Sequence, residues 1–258
     1  MEYSVAANGL LLPFWGTTLG AALVFFMKKE MKQSVQKSLT GFAAGVMLAA
    51  TIWSLLIPAI EQCEHYGKMA ALPAIIGFCC GAAFLMLLDQ LIPMTQENGA
   101  LDKLLPGKTG TMVLAIILHN IPEGMAVGVV YAAWLAGQPG ITRAVAFSLV
   151  LGIALQNLPE GAIVSMPVHG SGLSKGKSFL YGVASGLVEP IAGLITLLAA
   201  RFIAAVLPYL LGFSAGAMMY AVAEELIPEM TSGAHARKSA VLFVSGFSLM
   251  MFMDVALG

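Results

Sequence analysis

The chain has 258 residues, of which 59% are hydrophobic and 10% charged, and its formal net charge is −1. Soluble domains carry roughly 25% charged residues, so one soluble core cannot hide this much apolar surface, and the chain reads as a multi-spanning membrane protein. There is no basic stripe or nucleic-acid motif, which sets nucleic acid aside as a partner, and Cys63, Cys79 and Cys80 form neither a CxxC pair nor a disulfide framework.

In chain order, apolar stretches of spanning length run over residues 9–27, 39–60, 70–93, 111–132, 143–167, 178–200, 207–228 and 239–257. A span needs about 20 residues. Eight of them nearly exhaust the chain, so residues 1–258 are expected to form a single transmembrane domain. Within lipid each span must be helical, because a helix satisfies its own backbone. The predicted fold class is therefore an all-α integral membrane protein with eight transmembrane helices. The first stretch has Glu2 before it and Lys28 and Lys29 after it. That is the wrong polarity for a cleaved signal peptide, so this segment is expected to stay as the first span.

With the N-terminus outside, the inner loops hold Lys28, Lys29, Lys32, Lys37, Lys103, Lys108, Lys175, Lys177, Arg237 and Lys238, and the outer side holds Lys68, Arg143 and Arg201. Ten against three is a positive-inside bias, which predicts both termini outside. The segment "GFAAGVMLAATIWSLLIPAIE" at 41–61 shares G-F-x-A-G-x-M and a terminal I-P with "GFSAGAMMYAVAEELIPEM" at 212–230. The spans that follow open with Gly-Phe and close with Asp, at Asp89 and Asp254. Spans 2 and 7 run in opposite directions. An inverted repeat of spans 1–3 and 6–8 around a central pair, spans 4–5, is the expectation, and such repeats mark transporters with a site near the midplane.

The central pair carries a second repeat, "ILHNIPEG" at 117–124 and "ALQNLPEG" at 154–161. Residues four apart share a helix face, so His119 lies with Glu123 and Gln156 with Glu160, while Asn120 and Asn157 sit beside them. Pro122 and Pro159 each remove a backbone donor and free a carbonyl. Gly124 and Gly161 allow close helix approach. A third acid, Glu189, precedes a proline in "SGLVEP" of span 6. Each mid-bilayer carboxylate costs about 2.5–3.5 kcal/mol, and apart from Arg143 at the very start of span 5 no Lys or Arg lies inside these spans to pair with it. A divalent cation is the natural partner. One imidazole with carboxylates suits zinc or iron, amide oxygens fill further positions, and bridging carboxylates suit two adjacent cations. A lone membrane His is commonly an interhelical hydrogen-bond contact, but six polar residues in a duplicated pattern are not explained by packing. On spacing alone Met47 is core filler.

These motifs, with "GFAAGVMLAA", "LLDQLIP" and "EELIPE", resemble those of the ZIP family, the zinc- and iron-regulated-transporter-like metal importers, over nearly the whole chain and closest to its compact prokaryotic branch. The resemblance implies eight spans, outside termini and a binuclear site between spans 4, 5 and 6. It implies one metal position at Met47, His119, Glu123, Gln156 and Glu160, and a second at Asn120, Glu123, Asn157, Glu160 and Glu189. Close prokaryotic relatives carry Asp where this chain has Asn157, which lowers the charge of the second position. The resemblance also implies pathway residues Ser54, Glu61 and Asp254 toward the outside and Asp89, Glu224 and Glu225 toward the inside. Glu224 stands where His is common, and the His-rich inner loop is missing between Pro93 and Gly110.

The expected function is import of a divalent transition metal (zinc, with cadmium, iron or manganese as further substrates) into the cytoplasm by alternating access in the cell membrane. No catalytic cofactor is expected. The expected partners are divalent cations and the lipid bilayer, and the oligomeric state stays open, a homodimer included. A metal-selective channel is the nearest alternative. A membrane-embedded metalloenzyme lacks support, since neither an HExxH pair nor an ExxH pair is present.

Overall fold

The computed structural model of the protein describes residues 2–26, 31–97, 108–200, 206–233 and 235–257. Lys28, Lys29, Lys103 and Arg201 of the charge count, and much of the His-free segment between Pro93 and Gly110, lie outside the described residues. Every secondary-structure element among the described residues is helical. Eight segments there are long and apolar enough to cross a membrane: α1 (Glu2–Phe26), α2 (Gln33–Glu61), α3 (Leu72–Gln90), α4 (Val113–Leu135), α5 (Arg143–Gly170), α6 (Lys175–Ala199), α7 (Leu207–Thr231) and α8 (Ala236–Leu257). Several start earlier than the apolar stretches do, because helices run on past the hydrocarbon into polar residues that hydropathy does not register. Two begin at caps. The Thr142 hydroxyl accepts from the Val145 amide at the start of α5, and that of Ser174 from the Lys177 amide at the start of α6.

Beyond the 3-10 turn that ends α1 at Leu23–Phe26, three helices are interrupted within their spans, each beside a proline. In α2 the stretch Thr51–Leu56 is π-helical, and in α7 the stretch Val222–Leu226 is too. Each is followed by Ile-Pro, at Ile57–Pro58 and Ile227–Pro228. A proline offers no N–H to the carbonyl four residues back, which leaves Ser54 and Glu224 without the usual helical donor. π-Turns of this kind cluster at functional sites. The third is a break of α6 at Leu187, between Lys175–Gly186 and Val188–Ala200; none of the three was expected, whereas the helices carrying Pro122 and Pro159 run on unbroken. Pro190 lacks the N–H that Gly186 would have received.

Glycines set which helices touch. A Cβ on Gly45 of α2 would run into the Phe243 carbonyl of α8, and one on Gly81 of α3 into the Phe213 carbonyl of α7. Gly161 of α5 lies against the Thr17 carbonyl of α1, and Gly124 of α4 against the Glu189 carbonyl of α6. The close pairs are thus α2 with α8, α3 with α7, α1 with α5 and α4 with α6; Gly124 and Gly161 make the close approaches that their size predicted, to partners the sequence did not name. Helix α5 stands at the centre and packs on α1, α2, α4, α6 and α8. The periphery is apolar: Leu19, Ile195, Val244 and Phe252 are all at least 60% exposed, as a lipid-facing surface requires.

Candidate metal centre

The HNIPEG and QNLPEG segments meet at mid-height of α4 and α5, and Glu189 joins them from the break in α6. His119, Asn120, Glu123, Gln156, Asn157, Glu160 and Glu189 are all buried. The ion pairs found among the described residues are both His119's, so no Lys or Arg neutralises Glu123, Glu160 or Glu189. Amides hold two of these acids instead. Gln156 Nε2 donates to Glu123 Oε1 at 2.6 Å, and Asn157 Nδ2 donates to Glu189 Oε2 at 2.6 Å. Asn120 Nδ2 donates to the Ser185 carbonyl at 3.0 Å and reaches Glu189 Oε1 at 3.4 Å.

Helix α1 supplies groups that sequence reasoning missed. The Thr17 hydroxyl donates to Glu189 Oε1 at 3.0 Å, and the Pro13 carbonyl accepts from Asn157 Nδ2 at 3.3 Å. The only signal was the polar pair Thr17–Thr18 within an apolar span, and such threonines commonly bond back to their own helix. Thr17 lies 3.4 Å from the Pro13 carbonyl in that way as well.

This arrangement turns amide nitrogens toward acids and backbone, and so leaves oxygens free. Asn120 Oδ1, Gln156 Oε1, Asn157 Oδ1, Glu123 Oε2 and Glu160 Oε2 are buried without a hydrogen-bond partner. An unsatisfied buried polar atom is costly. These are five oxygens on two facing helices, and they need a donor or a cation to satisfy them. A cation bound by carboxylate and amide oxygens meets that need. These donor types fit a divalent cargo.

A cavity of about 490 Å³ reaches Asn120, Glu123 and Glu160 of this set and runs to one end of the bundle. Met47, His119, Glu123 and Glu160 line its deep end, and Glu225 and Glu229 its mouth. Glu229 and Pro228 are exposed there, at the end of α7 that the charge pattern assigns to the inside. Between the two ends, His119 turns toward the mouth. Its Nδ1 lies 3.0 Å from Glu225 and its Nε2 3.5 Å from Asp89. The three form a cluster able to hold a metal ion. The expected inner residues Asp89 and Glu225 therefore gather on His119. Glu224 is exposed and does not line the cavity.

The expected outer residues divide. Ser54 Oγ lies 2.9 Å from both carboxylate oxygens of Asp254, joining α2 to α8. Glu61 is exposed at the end of α2 that the charge pattern assigns to the outside, its carboxylate beside Gly140 in the α4–α5 loop. Gly140 has φ 75°, and a Cβ there would strike Glu61 Oε2.

Comparison with known proteins agrees with this architecture. The family described as "ZIP Zinc transporter" matches residues 105–254. Zinc transporter ZIP11 of Xenopus tropicalis is 38% identical, covering 99% of this chain and 99% of its own length. Zinc transporter GufA of Myxococcus xanthus is 36% identical over 94% of this chain and 96% of its own length. Zinc transporter ZIPB of Bordetella bronchiseptica is 35% identical over 95% of this chain and 79% of its own length. Likeness that runs almost end to end, through the helices that carry the acid-and-amide cluster, leaves one assignment: the chain belongs to the ZIP family of zinc transporters.

Proposed function

We propose that the protein imports zinc and related divalent metals (cadmium, iron, manganese) into the cytoplasm by alternating access, with both termini outside the cell membrane. The cargo binds as two adjacent ions. Met47, His119, Glu123, Gln156 and Glu160 hold one, and Asn120, Glu123, Asn157, Glu160 and Glu189 the other. The observation that carries this reading is the set of orphaned oxygens of Asn120, Gln156, Asn157, Glu123 and Glu160, in a site where no Lys or Arg among the described residues pairs with the acids. The cavity from that site toward Glu225 and Glu229 supports an inward-open conformation.

In this reading an ion leaving Glu123 and Glu160 next meets Asp89 and Glu225, and His119, which lines the same cavity, hands it on. Protons compete at each step, because these ligands bind metal only when deprotonated. The helix pairing supports the inverted repeat. Exchanging α1–α3 for α6–α8 and α4 for α5 carries the α2–α8 pair onto α7–α3, and α1–α5 onto α6–α4. Alternating access is then a movement of α1, α4, α5 and α6 against α2, α3, α7 and α8.

The test is zinc uptake into sealed liposomes, compared with cadmium, iron and manganese. Saturable uptake that falls at least tenfold in Glu123→Gln and Glu160→Gln, and less in Glu189→Gln, supports a bridged pair. Equal losses in all three remove it. Unchanged zinc affinity in His119→Ala by calorimetry removes His119 as a ligand, and steady non-saturating flux makes the protein a channel.

A further inference from the structure

Asp254 carries more than the contact with Ser54. Ser148 of α5 donates its hydroxyl to Asp254 Oδ1 at 2.8 Å, so one carboxylate ties together α2, α5 and α8. Ser54 and Ser148 are completely buried. No basic side chain pairs with Asp254 among the described residues. Two of these helices, α2 and α8, are a close pair, whereas α5 belongs with α1. The Ser148 hydroxyl therefore crosses from one helix group to the other.

The opposite end of the bundle has an equivalent group made of different side chains. There Asp89 of α3, Glu225 of α7 and His119 of α4 converge. Helices α3, α7 and α4 stand to that end as α8, α2 and α5 stand to this one. Ser54 lies in the π-helical stretch before Pro58, and Glu225 in the one before Pro228. The inner group joins two acids to an imidazole and opens onto the cavity. The outer group joins one acid to two hydroxyls, and neither Ser54, Ser148 nor Asp254 lines that cavity. One end is built to receive a cation and the other is sealed by hydrogen bonds.

We infer that Ser148 is a gate residue: its hydroxyl, with that of Ser54, binds Asp254 across the outer ends of α2, α5 and α8 and holds the outer approach shut while the inner cavity is open. When α5 moves relative to α2 and α8, the Ser148–Asp254 bond breaks, and the freed carboxylate faces the entering cation. The inference rests on the alternating-access reading and adds to it a residue and a contact.

The test uses full-length protein in liposomes with Cys63, Cys79 and Cys80 replaced by serine and a single reporter, Ala115→Cys, which lines the inner cavity. A membrane-impermeant thiol reagent is applied from the inner side. Removing one hydrogen bond to a charged group shifts a conformational equilibrium by about tenfold or more. Ser148→Ala is therefore expected to slow labelling at residue 115 about tenfold, and Ser148→Thr, which keeps the hydroxyl, to restore it. A change in thermal midpoint without a change in labelling would make the contact a structural bond only and overturn the gate. Equal labelling in all three proteins, or equal slowing in the Thr and Ala variants, overturns it too. Zinc uptake by the parent protein is measured in the same vesicles. A parent that carries no zinc refutes the transport reading, whereas a parent that transports and labels like Ser148→Ala refutes only the gate.

Discussion

Asn157→Asp tests the acid-and-amide cluster most sharply, because the structure fixes what the change removes. Asn157 Nδ2 donates to Glu189 Oε2 at 2.6 Å and to the Pro13 carbonyl at 3.3 Å. An aspartate there donates nothing and places a second carboxylate against Glu189. Ionised, the pair would repel by about 6 kcal/mol at that separation and an effective dielectric of ~20; taking up one proton relieves this, but at pH 7 costs about 4 kcal/mol for a carboxyl whose ordinary value is about 4.3. At roughly 2–4 °C per kcal/mol, the metal-free variant should melt about 10 °C below the parent. A divalent cation supplies the countercharge, so zinc should recover most of that loss. Ligand at 100 times its dissociation constant stabilises by about 2.7 kcal/mol, and tighter binding by the extra carboxylate enlarges the zinc-induced shift beyond the parent's. The assay is thermal unfolding of purified protein with and without zinc, read by tryptophan fluorescence. A variant that melts with the parent when metal-free and shows the same zinc shift would place residue 157 away from both Glu189 and the metal.

Thr17→Val should lower the metal-free melting point, since it removes a hydrogen bond to a buried acid worth about 1.5–3 kcal/mol, while Thr17→Ser should not; calorimetry with zinc checks whether affinity follows. Gly161→Leu should cost at least about 1–3 kcal/mol of overpacking, because its side chain collides with the Thr17 carbonyl; a monodisperse, parent-like gel-filtration profile and melt would contradict the α1–α5 contact. Apparent zinc affinity for uptake should weaken as the outer solution is acidified, because protons displace metal from His and carboxylate ligands; an affinity flat across the reference His value of about 6.5 would remove these residues as ligands. Burial pushes the Cys63 thiol up, so less thiolate is present at neutral pH. Its alkylation in folded protein should keep quickening above about pH 8.5, the ordinary thiol value, and a rate already level there would show the site to be open.

The number of spans was legible because eight apolar stretches separated by charge leave little choice, and the structure has eight such helices among its described residues. The co-facing of His119 with Glu123 followed from helical spacing alone. What His119 touches did not: its partners Asp89 and Glu225 come from α3 and α7, far away in sequence. The pairing of α4 with α6 was half legible, because Gly124 announced a close approach without saying to what. The break at Leu187 was concealed by the uniform apolar composition of α6, although Gly186 and Pro190 bracket it. Thr17 and Ser148 were illegible for one reason. A small hydroxyl residue in an apolar helix is satisfied by its own backbone, and only tertiary structure shows when it reaches across to an acid instead.

The breaks also explain why the acids lie where they do. Glu123 and Glu160 each follow a proline directly, at Pro122 and Pro159, and Glu189 directly precedes Pro190. Each proline interrupts the backbone ladder beside a carboxylate, so carbonyls and amides near the acids have bonding capacity that a regular helix would consume. The Ser185 carbonyl, one turn before Glu189 at the break, accepts from Asn120. Glu189 itself falls in the first turn of Val188–Ala200, where the positive end of the helix dipole favours a negative charge by about 0.3–1 kcal/mol. Anchored nitrogens then leave the amide oxygens of Asn120 and Asn157 no freedom to turn away, and both remain unpartnered in the core. With these amides anchored, and with Glu123 held by Gln156 and Glu189 by Asn157, the proposed cation site has much of its ordering complete before metal arrives. His119 departs from this pattern, since it contacts Asp89 and Glu225 instead of the amides; under the proposed import, release toward the inside is then a side-chain exchange along one short path and needs no rebuilding of the cluster.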